Sequence, residues 1–144
     1  MKFERMKAIR EDRDLTQKQL ASILDVERST YAGWETGKNT IPLKKLSALS
    51  DYYKLSIDYI TGLSNTKSYD IINKIINKKD VGKNLKKIRA KNNLKQRDIF
   101  TFLNTTSSTY SAYETGKVLI QTSFIYSIAK KYNVSIDWIL GKTN

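Results

Sequence analysis

The chain has 144 residues, with 26 Lys and Arg against 14 Asp and Glu, a net charge of +12, and neither Cys nor His. The missing Cys and His exclude disulfides, thiol nucleophiles, His-based acid–base pairs and nearly all zinc sites. The charge points to a polyanion, with nucleic acid the commonest choice.

The first helix is predicted from Met6, Ile9, Arg10 and Arg13, which fall on one stripe. A second opens at Thr16 as its N-cap and carries Leu20, Ile23 and Leu24 inward. Asp25-Val26 then makes a tight turn, since Asp tolerates a left-handed backbone. The third helix runs over 27–35 and stops at Gly37, a common C-cap. A fourth follows Pro42, with Leu46, Leu49 and Tyr53 at i, i+3 and i+7. Ser56 caps a short fifth helix, whose positive first turn suits Asp58.

The next segment, 64–80, starts with a flexible Ser-Asn-Thr-Lys-Ser run. Ile71, Ile72, Ile75 and Ile76 then share one helical face, which predicts a linker helix. Those isoleucines need burial, either on a neighbouring unit or in a homodimer. Asp80 is placed to cap the helix that follows.

From there the chain repeats itself. Sliding 3–63 by 79 places onto 82–142 needs no gap and matches about 20 of about 60 positions, an internal duplication. STYAGWETGK at 29–38 falls on STYSAYETGK at 108–117, and SIDYITG at 56–62 on SIDWILG at 135–141. The copy predicts the same five helices: Leu85, Ile88 and Arg89 on the first, Asn104 where Asp25 stands, and Gly116 closing the third. Charge is uneven between copies: about 11 basic and 9 acidic side chains in 1–63, but about 11 and 3 in 81–144.

These residues resemble the phage-repressor and Cro-like helix-turn-helix family: L-T-Q-K-Q-L-A at 15–21, S-T-Y-x-x-W-E-x-G-K, then a Ser-Ile-Asp finish. The resemblance implies an all-α fold of two tandem five-helix, lambda-repressor-like domains, 1–63 and 81–144, joined by a helical linker at 64–80. In that family the third helix lies in the major groove and the second crosses above it. Base readers are thereby placed at Arg28, Ser29, Ala32 and Gly33, and at Ser107, Ser108, Ser111 and Ala112. Only Arg28 among them is long enough to pair in bidentate fashion with guanine O6 and N7. Glu27 stands where the family more often has a Ser or Thr cap, as Thr106 does in the copy. Its carboxylate can accept from cytosine N4 but repels phosphates. Arg10 with Glu35, and Arg89 with Glu114, match the family's structural ion pair between first and third helices.

Other contacts follow from chemistry alone. Gln17 and Gln96, each opening a second helix, can give side-chain and backbone N–H groups to a phosphate. Lys38, with Asn39 beside it, and Lys117 follow the third helix, where N–H and ammonium groups suit a passing backbone strand. Thr30 and Thr109 either add phosphate bonds or turn their hydroxyls onto their own helix. Trp34, Tyr113, Tyr31 and Tyr110 read as core rather than as stacking platforms.

The second unit departs from the pattern. Phe100 replaces the small Ala21, Lys95 the capping Thr16, and Thr105 the apolar Val26. The expected function is a sequence-specific double-stranded DNA-binding transcription regulator, a repressor, with unit 1 reading bases and unit 2 contacting phosphates. The rival expectation is an antitoxin-like or immunity regulator whose second unit holds a partner protein. With no nucleophile–base pair, metal cluster or phosphate loop, neither an enzyme nor a cofactor is expected. No run of about 18 apolar residues predicts a membrane span, and the start of the chain has no signal-peptide pattern, so a cytoplasmic location is expected.

Overall fold

A computed structural model describes all 144 residues and contains ten helices and no strand. Two compact units divide it, Met1–Tyr69 and Asp70–Asn144. The first holds α1 (Glu4–Asp12), α2 (Gln17–Ile23), α3 (Arg28–Thr36), α4 (Leu43–Tyr53) and α5 (Ile57–Thr61). The second repeats the order with α6 (Lys78–Lys91), α7 (Gln96–Phe102), α8 (Ser107–Glu114), α9 (Thr122–Tyr132) and α10 (Ile136–Ile139). No helix is long and apolar enough to cross a membrane.

Local chemistry sets these boundaries. Thr16 Oγ1 accepts from Gln19 N at 3.0 Å, and Gln19 Oε1 accepts from Thr16 N at 2.8 Å, a reciprocal capping box. Its counterpart Lys95 has no acceptor to offer, and only the return bond survives, Lys95 N to Asp98 Oδ2 at 2.8 Å. Asp25 and Asn104 turn the chain with φ of 57° and 56°, letting Val26 N and Thr105 N reach Ala21 O and Phe100 O at 2.9 Å. Gly37 ends α3 at φ 83°, and a Cβ there would stand 2.9 Å from the Lys2 Cβ. Ser56 and Ser135 cap α5 and α10 through Tyr59 N and Trp138 N. Each core is small and closely filled. Met6, Leu20, Tyr31, Leu46, Leu49, Ile57 and Ile60 are buried in unit 1, and Leu85, Ile99, Tyr110, Ile125, Ile128 and Ile136 in unit 2. Trp34 and Tyr113 are buried as well, as expected of core aromatics.

The linker helix expected over the isoleucines does not form. Residues 71–77 are irregular, and α6 begins only at Lys78. Asn73 Oδ1 accepts from Ile75 N at 3.0 Å, and Asn77 Oδ1 from Lys79 N at 2.9 Å and Asp80 N at 3.3 Å. These side-chain bonds to nearby backbone compete with helix, and isoleucine is itself a modest helix former. Ile72 N, at 2.8 Å, and Asn73 N, at 3.3 Å, instead bond to Lys142 O, tying the segment to the end of unit 2. Asn77, not Asp80, therefore caps α6, and Asp80 sits inside its first turn. The stripe proposed for a homodimer is broken up: Ile71 and Ile76 are half-buried, while Ile72 and Ile75 are 67% and 77% exposed.

Two further departures follow from side-chain size. Phe100 is half-buried where Ala21 is fully enclosed, so the ring turns partly outward at that crossing. Helix α6, at 14 residues, is longer than the 9 of its counterpart α1. Gly82 stands in α6 where unit 1 has Phe3; a Cβ on it would lie 2.3 Å from Glu114 O and 2.7 Å from Tyr113 O. Only glycine lets α6 run this close to the end of α8.

Candidate nucleic-acid interface

In each unit the second and third helices pack against one another across the left-handed turn, and a buried ion pair fixes the third helix to the first. Arg10 Nε and Nη2 meet the two oxygens of Glu35 at 2.7 and 3.0 Å, with Glu35 only 4% exposed. Arg89 and Glu114 repeat the fork at 2.7 and 2.8 Å, with Glu114 2% exposed. Each Arg also donates to the carbonyl that ends its own helix–turn, Leu15 O or Leu94 O. Burial alone would raise the two carboxyls. Hydrogen bonds from Arg, then from Tyr31 or Tyr110 and from Gln, with the guanidinium charge, outweigh it and hold both below the usual carboxylate value.

The glutamines are more committed than expected. Gln17 Nε2 donates to Glu35 Oε1 at 3.1 Å, and Gln96 Nε2 to Glu114 Oε1 at the same distance. One amide hydrogen is thus spent inside the protein, leaving the other and the backbone N–H at the start of α2 or α7. In unit 1 the amide also acts as acceptor: Arg28 Nη1 donates to Gln17 Oε1 at 3.3 Å. A chain of contacts therefore runs Arg28–Gln17–Glu35–Arg10, from an exposed helix tip to the buried pair. In unit 2 it stops at Gln96, because Ser107 replaces Arg28. This bridging role was missed in the sequence; the repetition of Gln and Glu in both copies, 18 residues apart, is the signal that carried it.

The remaining predicted residues separate into exposed and spent groups. Glu27, Arg28, Ser29 and Thr30 are exposed at the N-terminal end of α3, and Ala32 is half-buried. Gly33, expected among the readers, is buried, and a Cβ there would touch Asn39 Nδ2 at 3.4 Å. It offers no side chain of its own and lies beneath the Asn39 amide. Glu27 is the N-cap residue of α3 but gives no side-chain cap bond. Thr106 does cap α8, accepting from Thr109 N at 3.2 Å, and its hydroxyl lies 2.9 Å from that of Thr109. The two hydroxyls thus bond to each other at the exposed start of α8. Ser107 and Ser108 are exposed; Ser111 and Ala112 are half-buried.

After the third helices, Lys38, Asn39 and Lys117 are exposed. Lys117 N donates to Ala112 O at 3.0 Å, so its backbone N–H is not free for a phosphate and only the ammonium remains. A concavity of about 660 Å³ opens beside α2 and the start of α3, lined by Lys18, Asp25, Glu27 and Arg28 among others. Both signs of charge meet there, so an approaching polyanion is drawn to Lys18 and Arg28 and turned away from Asp25 and Glu27.

Comparison with known proteins adds to this geometry. A family model described as "Helix-turn-helix" matches residues 6–60, and one described as "Helix-turn-helix domain" matches residues 82–144. The uncharacterized HTH-type transcriptional regulator YobD of Bacillus subtilis (strain 168) is 37% identical over 65 residues, covering 45% of this chain and 58% of its own length. The HTH-type transcriptional activator BcrR of Enterococcus faecalis is 30% identical over 80 residues, covering 51% of this chain and 39% of its own length. The chain therefore spans less than two thirds of either curated relative. No solved structure matches.

Proposed function

Both halves of the chain belong to the helix-turn-helix family, and from that premise we propose a sequence-specific double-stranded DNA-binding regulator of transcription. Unit 1 reads bases, and unit 2 supplies mainly phosphate attraction. The observation that carries this division is Arg28, exposed at the first residue of α3 and braced by Gln17. At that position unit 2 has Ser107, and its other would-be readers are Ser and Ala, which discriminate weakly. Unit 2 nonetheless holds the larger positive excess, including exposed Lys95 and Arg97 at the start of α7. Both relatives named above are transcriptional regulators, which supports the same role here. Repression by covering a promoter is the simplest output of such binding.

Two variants of the intact chain test the division. Arg28→Ala should erase the preference between duplexes of different sequence. Lys95→Ala with Arg97→Ala should weaken all duplexes alike and flatten the dependence of log K on log salt by about 0.9 per lost phosphate contact. Equal loss of preference in both variants would overturn it.

A further inference from the structure

The duplication supplies an internal comparison, because the same groove exists in both units but is smaller in one, where an arginine fills it, and roomier in the other. In unit 1 it lies between α1 and the start of α5 and has a volume of about 270 Å³. Its aromatic wall, Tyr59, is covered by the chain's own cations: the Arg5 guanidinium sits 4.5 Å from the ring centroid and Lys67 Nζ 5.8 Å. Arg5 also bonds to Tyr59 O at 2.8 Å, to Ser64 O and to Asn65 Oδ1, which binds the 64–65 segment over the site.

In unit 2 Asn84 replaces Arg5 and Trp138 replaces Tyr59. Asn84 reaches only the backbone, donating to Trp138 O at 3.0 Å and Ile139 O at 3.1 Å, and no cation lies over the indole. The groove there measures about 580 Å³, floored by Ile88 and Val134, walled by Tyr132 and Trp138, and edged by Lys87, Lys91 and Asn144, the last standing where unit 1 has Asn65. No residue of α7 or α8 lines it, so it is separate from the candidate DNA-reading helices of its unit.

Charge has been rebuilt around the same opening. Lys83, Lys87 and Lys91 stand at i, i+4 and i+8 along α6, all exposed, where unit 1 carries Glu4, Ala8 and Asp12. Lys86 is exposed beside them. Like charges at this spacing repel and weaken a helix. On the adjoining stripe unit 1 has a mixed pair, Lys7–Glu11 at 3.8 Å, where unit 2 has Lys86 and Ala90. A row of unpaired cations flanking an uncovered aromatic and aliphatic floor matches a ligand with carboxylates around an apolar anchor.

We propose that this groove of unit 2 docks an acidic segment of a partner protein, one apolar side chain entering between Ile88, Val134 and Trp138 while flanking carboxylates meet Lys87 and Lys91. The aliphatic floor favours a peptide over single-stranded nucleic acid, whose bases gain from stacking on aromatic faces and little from Ile or Val. Nothing in it depends on the DNA reading above, and either can fail alone.

Peptides displayed on phage, selected from a random library against the intact chain in the presence of excess duplex DNA, test it. The enriched peptides should carry several Asp or Glu around one large apolar residue. As synthetic peptides they should bind at least about tenfold more weakly to Lys87→Ala/Lys91→Asp, which installs the residues unit 1 has at those positions. Duplex affinity measured on the same variant reports the DNA reading separately, and its helical circular dichroism and melting curve confirm that it is folded. Enrichment of non-acidic peptides, or binding indifferent to the two substitutions, would overturn the proposal. So would oligothymidylate binding that those substitutions abolish, which assigns the groove to single-stranded nucleic acid.

Discussion

Replacing Arg10 by Met leaves Glu35 as a buried carboxylate without its guanidinium. Glu35 is 4% exposed and loses contacts of 2.7 and 3.0 Å, keeping the bond from Gln17 at 3.1 Å and the neighbouring Tyr31 hydroxyl, neither of which carries a charge. Breaking a buried pair in this way costs about 3–5 kcal/mol. A unit of the size Met1–Tyr69 has about 3–10 kcal/mol in total, so the variant is left near or below its folding threshold. At the lower figure the midpoint of thermal unfolding should fall by at least about 12 °C. The chain has two Trp, so a Trp138→Phe background makes Trp34 fluorescence report unit 1 alone. Arg10→Met with Glu35→Leu removes both charges and should recover most of the loss, because a well-packed apolar pair replaces an ion pair at little cost. A loss below about 1 kcal/mol for the single variant, the value of a surface pair, would refute the reasoning.

Gly82→Ala should destabilise unit 2 by about 1–3 kcal/mol in urea unfolding, since the new methyl meets backbone oxygens that cannot move aside; a stabilised protein would show that α6 can shift away from α8. Stability should be level from about pH 5.5 to 8, the chain lacking His, and should fall in acid. The sign follows from Glu35 and Glu114, both held below 4.5: their contribution is complete above that value and is lost as pH drops through the lower folded values. Thermal melts across that range check it, and Glu35→Gln should blunt the acid limb for unit 1.

What was legible in the sequence was local or repeated. The Thr16 cap, the Asp25 turn and the Gly37 stop are written in single residues whose backbone preferences are strong, and the 79-residue offset repeats the turn and the stop. The Arg–Glu pairs were legible because the family pattern fixes both partners. Less could be read where two local preferences compete. The isoleucine spacing predicted helix, but Asn73 and Asn77 bonded to their own backbone, and the chain took those turns instead. Gly33 looked like a reader by position; only packing shows it under Asn39. The link from Arg28 through Gln17 to Glu35 joins three helix ends that no periodicity connects. The charge excess of the second unit was visible, yet what Lys87 and Lys91 do with it depended on Trp138 standing beside them in the fold.

Selection of duplexes from a random DNA pool by the intact chain tests the central claim most directly. A recovered site with one sharply defined half, containing a guanine that Arg28→Ala no longer requires, and one vague half is the predicted result. Two equally sharp halves, or recovery of no sequence preference at all, would contradict it.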